Sequence, residues 1–227
     1  MKYEGMIKGR FICRCNRFIA EVAVGEQVET VHVRNTGRLR ELLVKDVPVL
    51  LEPAANPDRK TRYSLICVQK NGQWVNVDST APNQIIEEMV RAGRLFSDIT
   101  YVKREKSFGN SRFDLYVEHG GKKHYIEVKG VTLEVDGVAR FPDAPTERGV
   151  KHIRELIEAR RLGYGAAIVF VIQMKGIHRF EPNRETHPAF ADILKVAAAE
   201  GVEILAFDCI VTEDSITGDV SVLVNLE

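Results

Sequence analysis

The seven residues Ala166 to Ile172, Ala-Ala-Ile-Val-Phe-Val-Ile, form the longest unbroken apolar run in the 227-residue chain. A membrane span needs roughly 18 such residues, so this run belongs to a folded interior. Continuous apolar character over one strand length marks a strand buried on both faces, which requires cover above and below. Helical patterns supply that cover. Asn83 caps a predicted helix running to about Ala92, stopped by Gly93, with Ile85, Ile86, Met89 and Val90 on its apolar face. Thr146 opens a second helix to about Leu162, and Pro188 a third ending at Gly201. Strand signals lie between them at Ile99–Val102, Phe113–Val117, Tyr125–Val128 and Val202–Cys209, with an added edge strand at Val220–Val224. This alternation predicts an α/β sheet with helices on both faces.

The first eighty residues have a different rhythm. Gly9–Cys15, Phe18–Val24, Gln27–Val33 and Val47–Pro53 are short strand-like runs separated by turn signals. Arg62–Gln69 and Trp74–Val77 flank Asn71-Gly72, a hairpin signal because both residues tolerate positive φ. Asn35 to Leu43 reads as a turn leading into a short helix. About five strands with one short helix after the third predict a small OB-like β-barrel. The rhythm changes at Ala81-Pro82, so residues 1–80 are expected to form the barrel and 81–227 the mixed sheet flanked by helices, α+β overall.

The hairpin Ser111 to Gly130 carries the chemistry. By alternation, Phe113, Leu115 and Val117 share one face, and Asp114 lies opposite with Tyr116. On the next strand Glu127 and Lys129 share a face with Tyr125. If the strands pair, Asp114, Glu127 and Lys129 converge. Two neighbouring carboxylates repel, and a divalent cation resolves the conflict. Magnesium binds one or two carboxylates and keeps waters for a phosphate or an attacking water, while a nearby lysine orients that water or neutralises phosphate charge. The alternative is a solvated strand face on which these charges only meet water.

Helix, hairpin with Asp and Glu-x-Lys, helix and strand in this order resemble the PD-(D/E)xK nuclease superfamily. More narrowly, Asn35–Leu39, Pro82–Glu88, Ser111–Val117, Tyr125–Leu133, Phe141–Leu156 and Gly201–Phe207 resemble the sugar fermentation stimulation protein A family, over nearly the whole chain. The resemblance implies a DNA-binding protein with an N-terminal OB-like domain and a restriction-endonuclease-like second domain. It places Asp114, Glu127 and Lys129 at the nuclease core positions, with Mg²⁺ or Mn²⁺ on Asp114 and Glu127. Glu88 matches an acid that some related nucleases use as a further metal ligand, and helical spacing sets it at the border of the buried face with Glu87 more exposed. Two departures from the family pattern are Arg34 in place of Pro and His187 in place of Asp. A non-catalytic DNA-binding regulator of sugar metabolism built on a nuclease-like scaffold is the alternative.

Formal net charge is zero, but residues 1–80 carry 13 Lys+Arg against 9 Asp+Glu and residues 81–227 carry 19 against 23. Nucleic-acid contacts are expected from Arg34, Arg38 and Arg40 after the Asn-Thr-Gly turn, and from Arg59, Lys60 and Arg62 before the hairpin. Arg112, near the acidic hairpin, is a further contact, as are Arg148, Lys151 and His152 in the first turns of the second helix. Tyr63 and Trp74 serve either stacking or packing. Cys13, Cys15, Cys67 and Cys209 form no CxxC pair and no ligand cluster with histidine, which argues against a zinc site, and Cys13 and Cys15 read with Phe11 as small core residues on one strand face rather than as a metal clip. Without an apolar leader at its N-terminus or a membrane-length run, the protein is expected in the cytoplasm, with reduced thiols and no membrane contact. Monomer and homodimer both remain open.

Overall fold

The computed structural model describes residues 1–56 and 58–227. Strands β1 (Ile7–Asn16), β2 (Ile19–Val24), β3 (Gln27–Val33), β4 (Pro48–Pro53), β5 (Tyr63–Lys70) and β6 (Gln73–Asn76) lie in the order β3-β2-β1-β4-β5-β6. A parallel pairing of β3 with β5 closes five of them into a barrel. Closure requires strands to bend, and register shifts at Phe11/Cys13 and Arg14/Asn16 on β1 and at Ile66 on β5, opposite Leu50/Leu51, supply the bends. Phe11, Val22, Val31, Val33, Val49, Leu51 and Leu65 fill the interior. The Asn71-Gly72 turn forms as expected, with φ of 51° and 79°.

The expected helix after Asn35 does not form. Leu39 has φ of 50°, outside helical space, and the Asn35 side chain accepts from Gly37 N while donating to Val77 O. These local bonds compete with a helix. The segment instead forms tight turns that bury Leu39 and Leu42 in the barrel core.

Beyond the barrel come α1 (Ala81–Arg91), β7 (Ile99–Phe108), β8 (Ser111–His119), β9 (Lys122–Val131), β10 (Leu133–Val135), β11 (Val138–Phe141), α2 (Glu147–Arg161), β12 (Gly165–Ile172), β13 (Arg179–Pro182), α3 (Pro188–Ala199), β14 (Glu203–Val211), β15 (Ile216–Ser221) and β16 (Leu223–Val224). The main sheet runs β15-β14-β12-β9-β8-β7, with β12 parallel to both β9 and β14. The apolar run is therefore central, as its composition predicts. Ala167, Val169 and Val171 pack in the core shared with α1, and Ile168, Phe170 and Ile172 in the core shared with α2 and α3. Thr146 caps α2 by accepting from Gly149 N at 3.0 Å. The small sheet β10-β11-β13-β16 was not legible in sequence, because its strands are two to four residues long.

The lobes are joined by polar contacts. Gln173 donates to Asn76 Oδ1 and Asp78 O, and Lys70 pairs with Glu134. At the chain start, Tyr3 N donates to Asp214 O, and Lys2 bridges to Ser215 beside β15.

Candidate active site

The β8–β9 ladder runs from His119↔Lys122 to Leu115↔Ile126 and stops at Asp114. Beyond that point the Asp114 side chain replaces backbone pairing: its Oδ2 accepts from Val128 N at 2.8 Å. Side-chain alternation breaks there too. Leu115 and Val117 face α1, whereas Phe113 lies on the opposite face with its ring 5.6 Å from Tyr125 and 6.4 Å from His152. The shared face expected for Phe113, Leu115 and Val117 is thus split. Across the sheet, the pairs Arg104↔Leu115 and Lys106↔Phe113 set Glu105, itself off strand geometry at φ 54°, opposite Asp114.

Asp114 Oδ1 accepts from Asn83 Nδ2 at 2.9 Å. Asn83 is therefore not the helix cap that its position suggested: α1 begins at Ala81, and Asn83 in its first turn reaches the sheet. Pro82 and Gln173 crowd Gly130, where a Cβ would lie 2.8 Å from Pro82 Cγ and 2.6 Å from Gln173 Oε1. Only glycine lets this helix end approach the strand so closely.

Glu127 is 2% exposed. Its Oε1 accepts from Lys129 Nζ at 2.5 Å and from His152 Nδ1 at 2.5 Å, while its buried Oε2 has no partner among the described residues. Burial pushes the Glu127 carboxyl up, but the His152 hydrogen bond and the Lys129 charge outweigh it and hold the group below its ordinary value. Asp114 shifts the other way: burial, then repulsion from Glu127, raises its carboxyl despite the Val128 bond and Lys129. Two adjacent carboxyl groups are thus driven apart, with Glu127 the firmer anion.

Asp114, Glu127 and Lys129 come together, and His152 joins them from α2. His152 is buried and stacked in line with Val150, Ile153 and Leu156, so it orients Glu127 and presents no free edge to a surface phosphate. Its position on the buried stripe of α2 was readable from helical period. The role of Asn83 was not, since it depends on where α1 meets β8.

Glu88 does not join this cluster. It is the more exposed of the two acids and binds the Met1 amino group at 2.9 Å and Gln84. Glu87 is the half-buried one, paired with Arg91 and Arg104. The apolar face of α1 is the expected one, Ile85, Ile86, Met89 and Val90, and the two acids flank it on opposite sides: Glu87 on the side of β7, where Arg104 covers it, and Glu88 on the side of the chain start.

The basic residues divide into two groups. Arg34 is committed internally to Ser64, Asp78 and Glu52, and Arg59 to Thr61, Tyr63 and Ser64. Arg38, Arg40, Lys60 and Arg148 are exposed, as are Arg62 and Arg112, which hold only long ion pairs at 3.4 Å to Glu29 and Glu105. Lys151 is exposed and donates to Asn110 O at the β7–β8 turn. Arg14 donates to Asn35 O, Gly37 O and Arg38 O, shaping the loop that projects Arg38 and Arg40. A cavity of 190 Å³ between the lobes starts at Gly130, next to Lys129, and shares Thr36 and Gly37 with a shallow cavity of 300 Å³ bordered by Arg38 and Arg40. The two adjoin at Thr36 and Gly37, and neither is lined by Asp114, Glu127 or Lys129. Trp74 packs against the α1-side core, which favours its packing role, and Arg62 lies over the Tyr63 ring.

Two family models divide the chain: residues 12–77 match the SfsA N-terminal OB domain, and residues 80–215 match the sugar fermentation stimulation protein RE domain. The chain belongs to the sugar fermentation stimulation protein family. It is 53% identical to the sugar fermentation stimulation protein homolog of Clostridium beijerinckii over 95% of this chain and 96% of that one. Identity to the homolog of Desulfitobacterium hafniense strain DCB-2 is also 53%, covering 100% of this chain and 99% of that one. The structure of Pyrococcus furiosus SfsA in complex with Ca²⁺ superposes with a TM-score of 0.91 at 30% identity, covering 99% of this chain and 98% of that one. Among the described residues no helix is long and apolar enough to cross a membrane.

Proposed function

We propose that this protein is a nucleic-acid-binding phosphodiesterase, acting on DNA, with a divalent-cation site at Asp114 and Glu127. The observation that carries the reading is the Glu127 carboxylate: almost wholly buried, ionised, and with Oε2 unpartnered beside a second carboxyl group. A buried anion with an unmet acceptor is costly unless something positive takes it. Carboxylate oxygens suit a hard ion such as Mg²⁺ or Mn²⁺. That a similar protein was solved with Ca²⁺ supports a divalent ion in this family.

When bound, such an ion polarises a phosphate oxygen and lowers the pKa of a coordinated water. The chain's own groups do the rest. Asn83 and Val128 N hold the Asp114 carboxylate in one orientation, and His152 fixes that of Glu127. Lys129, 18% exposed, pairs with Glu127, and its ammonium can turn toward a phosphate or the attacking water. Arg38 and Arg40 receive the flanking backbone phosphates, and exposed Lys60, Arg62, Arg112, Arg148 and Lys151 extend the basic surface.

A second reading, a non-catalytic DNA-binding regulator, draws support from the Lys129–Glu127 ion pair, which already neutralises the carboxylate without a metal. One experiment separates the two: cleavage of labelled single- and double-stranded DNA and RNA with Mg²⁺ or Mn²⁺, beside Asp114→Asn. Metal-dependent cutting that the variant lacks is expected. Binding without cutting by either protein would sink the catalytic reading in favour of the regulator.

A further inference from the structure

Cys13 and Cys15 are exposed, not core residues. The register shift between Phe11 and Cys13 reverses the alternation, so Phe11 points into the barrel while both thiols point to solvent. The pair Cys13↔Glu21 on β1 and β2 then brings a carboxylate alongside. Cys13 Sγ lies 3.8 Å from Cys15 Sγ and 3.7 Å from Glu21 Oε2, and the three donor atoms all fall within 4.8 Å of one another.

These spacings match a particular coordination geometry. With Zn–S of about 2.3 Å and Zn–O of about 2.0–2.2 Å, tetrahedral angles require S···S of about 3.8 Å and S···O of about 3.5–3.7 Å. A disulfide fits less well, because two residues along a strand span about 6.6 Å, near the upper limit of Cα separations that a disulfide bridges. We propose that Cys13, Cys15 and Glu21 form a zinc site on the outer wall of the barrel, with the fourth position open to solvent. Two thiolates make it selective for a borderline or soft ion, so it is chemically distinct from the all-oxygen pair at Asp114 and Glu127. The ion clips β1 to β2 where β1 is bent.

The test is a Co²⁺ titration of the full-length reduced protein, with Co²⁺ as the spectroscopic stand-in for Zn²⁺. One equivalent with sulfur-to-cobalt charge-transfer absorption, displaced by one equivalent of Zn²⁺, is expected. Cys13→Ser and Cys15→Ser should each weaken both binding and that absorption, the double variant should abolish the absorption, and Glu21→Gln should weaken binding by about tenfold or more. All three positions are at the surface or partly so, and circular dichroism of each variant confirms that the fold is retained. Asp114→Asn should leave the signal unchanged, which keeps this result independent of the carboxylate site. Absence of charge-transfer absorption in the wild type, undiminished absorption in either single serine variant, or any in the double variant overturns the proposal.

Discussion

Replacing Asp114 with Asn tests whether this carboxylate serves the fold or a ligand. Asp114 accepts from Val128 N at 2.8 Å and from Asn83 Nδ2 at 2.9 Å. Asparagine can keep both contacts, with its oxygen toward Val128 and the Asn83 amide flipped to accept from the new Nδ2. Charge-assisted bonds become neutral ones, a loss of about 1 kcal/mol each. Against that loss stands the removal of a charge that the fold disfavours, since burial and then Glu127 raise the Asp114 carboxyl above its ordinary 3.8. A group raised in this way adds stability below its unfolded pKa and loses it as pH rises through the folded value. At neutral pH the ionised group is therefore a liability, and the direction of the shift says this contribution prevails. The variant without metal should match or slightly exceed wild-type stability, within about 1 kcal/mol. The response to metal should differ sharply. A cation at 100 times its Kd adds about 2.7 kcal/mol to the wild type, or about 5–11 °C in Tm at about 2–4 °C per kcal/mol for a chain of this size. Calorimetry with and without Mn²⁺ reads both quantities. A metal-free variant that melts many degrees lower yet keeps the full wild-type metal shift would refute the assignment.

Changing Arg38 and Arg40 together to Ala should weaken DNA binding and reduce the slope of log K against log[salt] by about 0.9 per lost phosphate contact; an unchanged slope by anisotropy would remove these arginines from the proposed interface. Arg34→Ala acts on the fold instead. It leaves Asp78, which is wholly buried, with the Thr80 and Tyr3 hydrogen bonds but without its cation, and should cost about 3 kcal/mol in urea unfolding, whereas a loss under 1 kcal/mol would contradict the buried-pair reading. His124 is buried, and burial, followed by His119 and Arg160, lowers it from 6.5 to about 4. The neutral ring's contribution, about 3 kcal/mol, is complete above pH 6.5 and is lost as pH falls toward 4. Glu203 lies 3.6 Å away but is 50% exposed and too well solvated to reverse the shift; an NMR titration midpoint near 6.5 would show the ring to be accessible. Glu88→Gln should change stability by no more than about 1 kcal/mol and leave the Mn²⁺ shift intact, and loss of that shift would restore Glu88 as a ligand.

The readings that held rest on strong local signals. Ala166 to Ile172 has the uniform apolarity of a central strand, and β12 takes that place. Gly93, Gly163 and Gly201 end three helices at positive φ, near the predicted stops. The readings that failed depend on slips of phase or on neighbours from other elements. A bulge moved Cys13 and Cys15 from core to solvent, whereas Glu87 and Glu88 border the apolar face of α1 on opposite sides and Arg104 from β7 covers the first of them. Alternation and helical period both assume an unbroken phase, and neither carries a mark for the residue at which it slips.

By itself the sequence determined the three long helices, the barrel strands, the central strands of the main sheet and which residues carry charge in the hairpin, because hydrophobic periodicity, caps and turn residues act within a few positions. The tertiary structure decided what those charges meet. The ladder opens at Asp114, Asn83 and Val128 grip its carboxylate, and His152 reaches Glu127 from 25 residues away while leaving one buried oxygen unmatched. It also decided which arginines are already spent on internal acids and which face solvent. Such contacts arise where separate elements dock. Their energies depend on burial and distance in space, and a linear chain encodes both only through the completed fold.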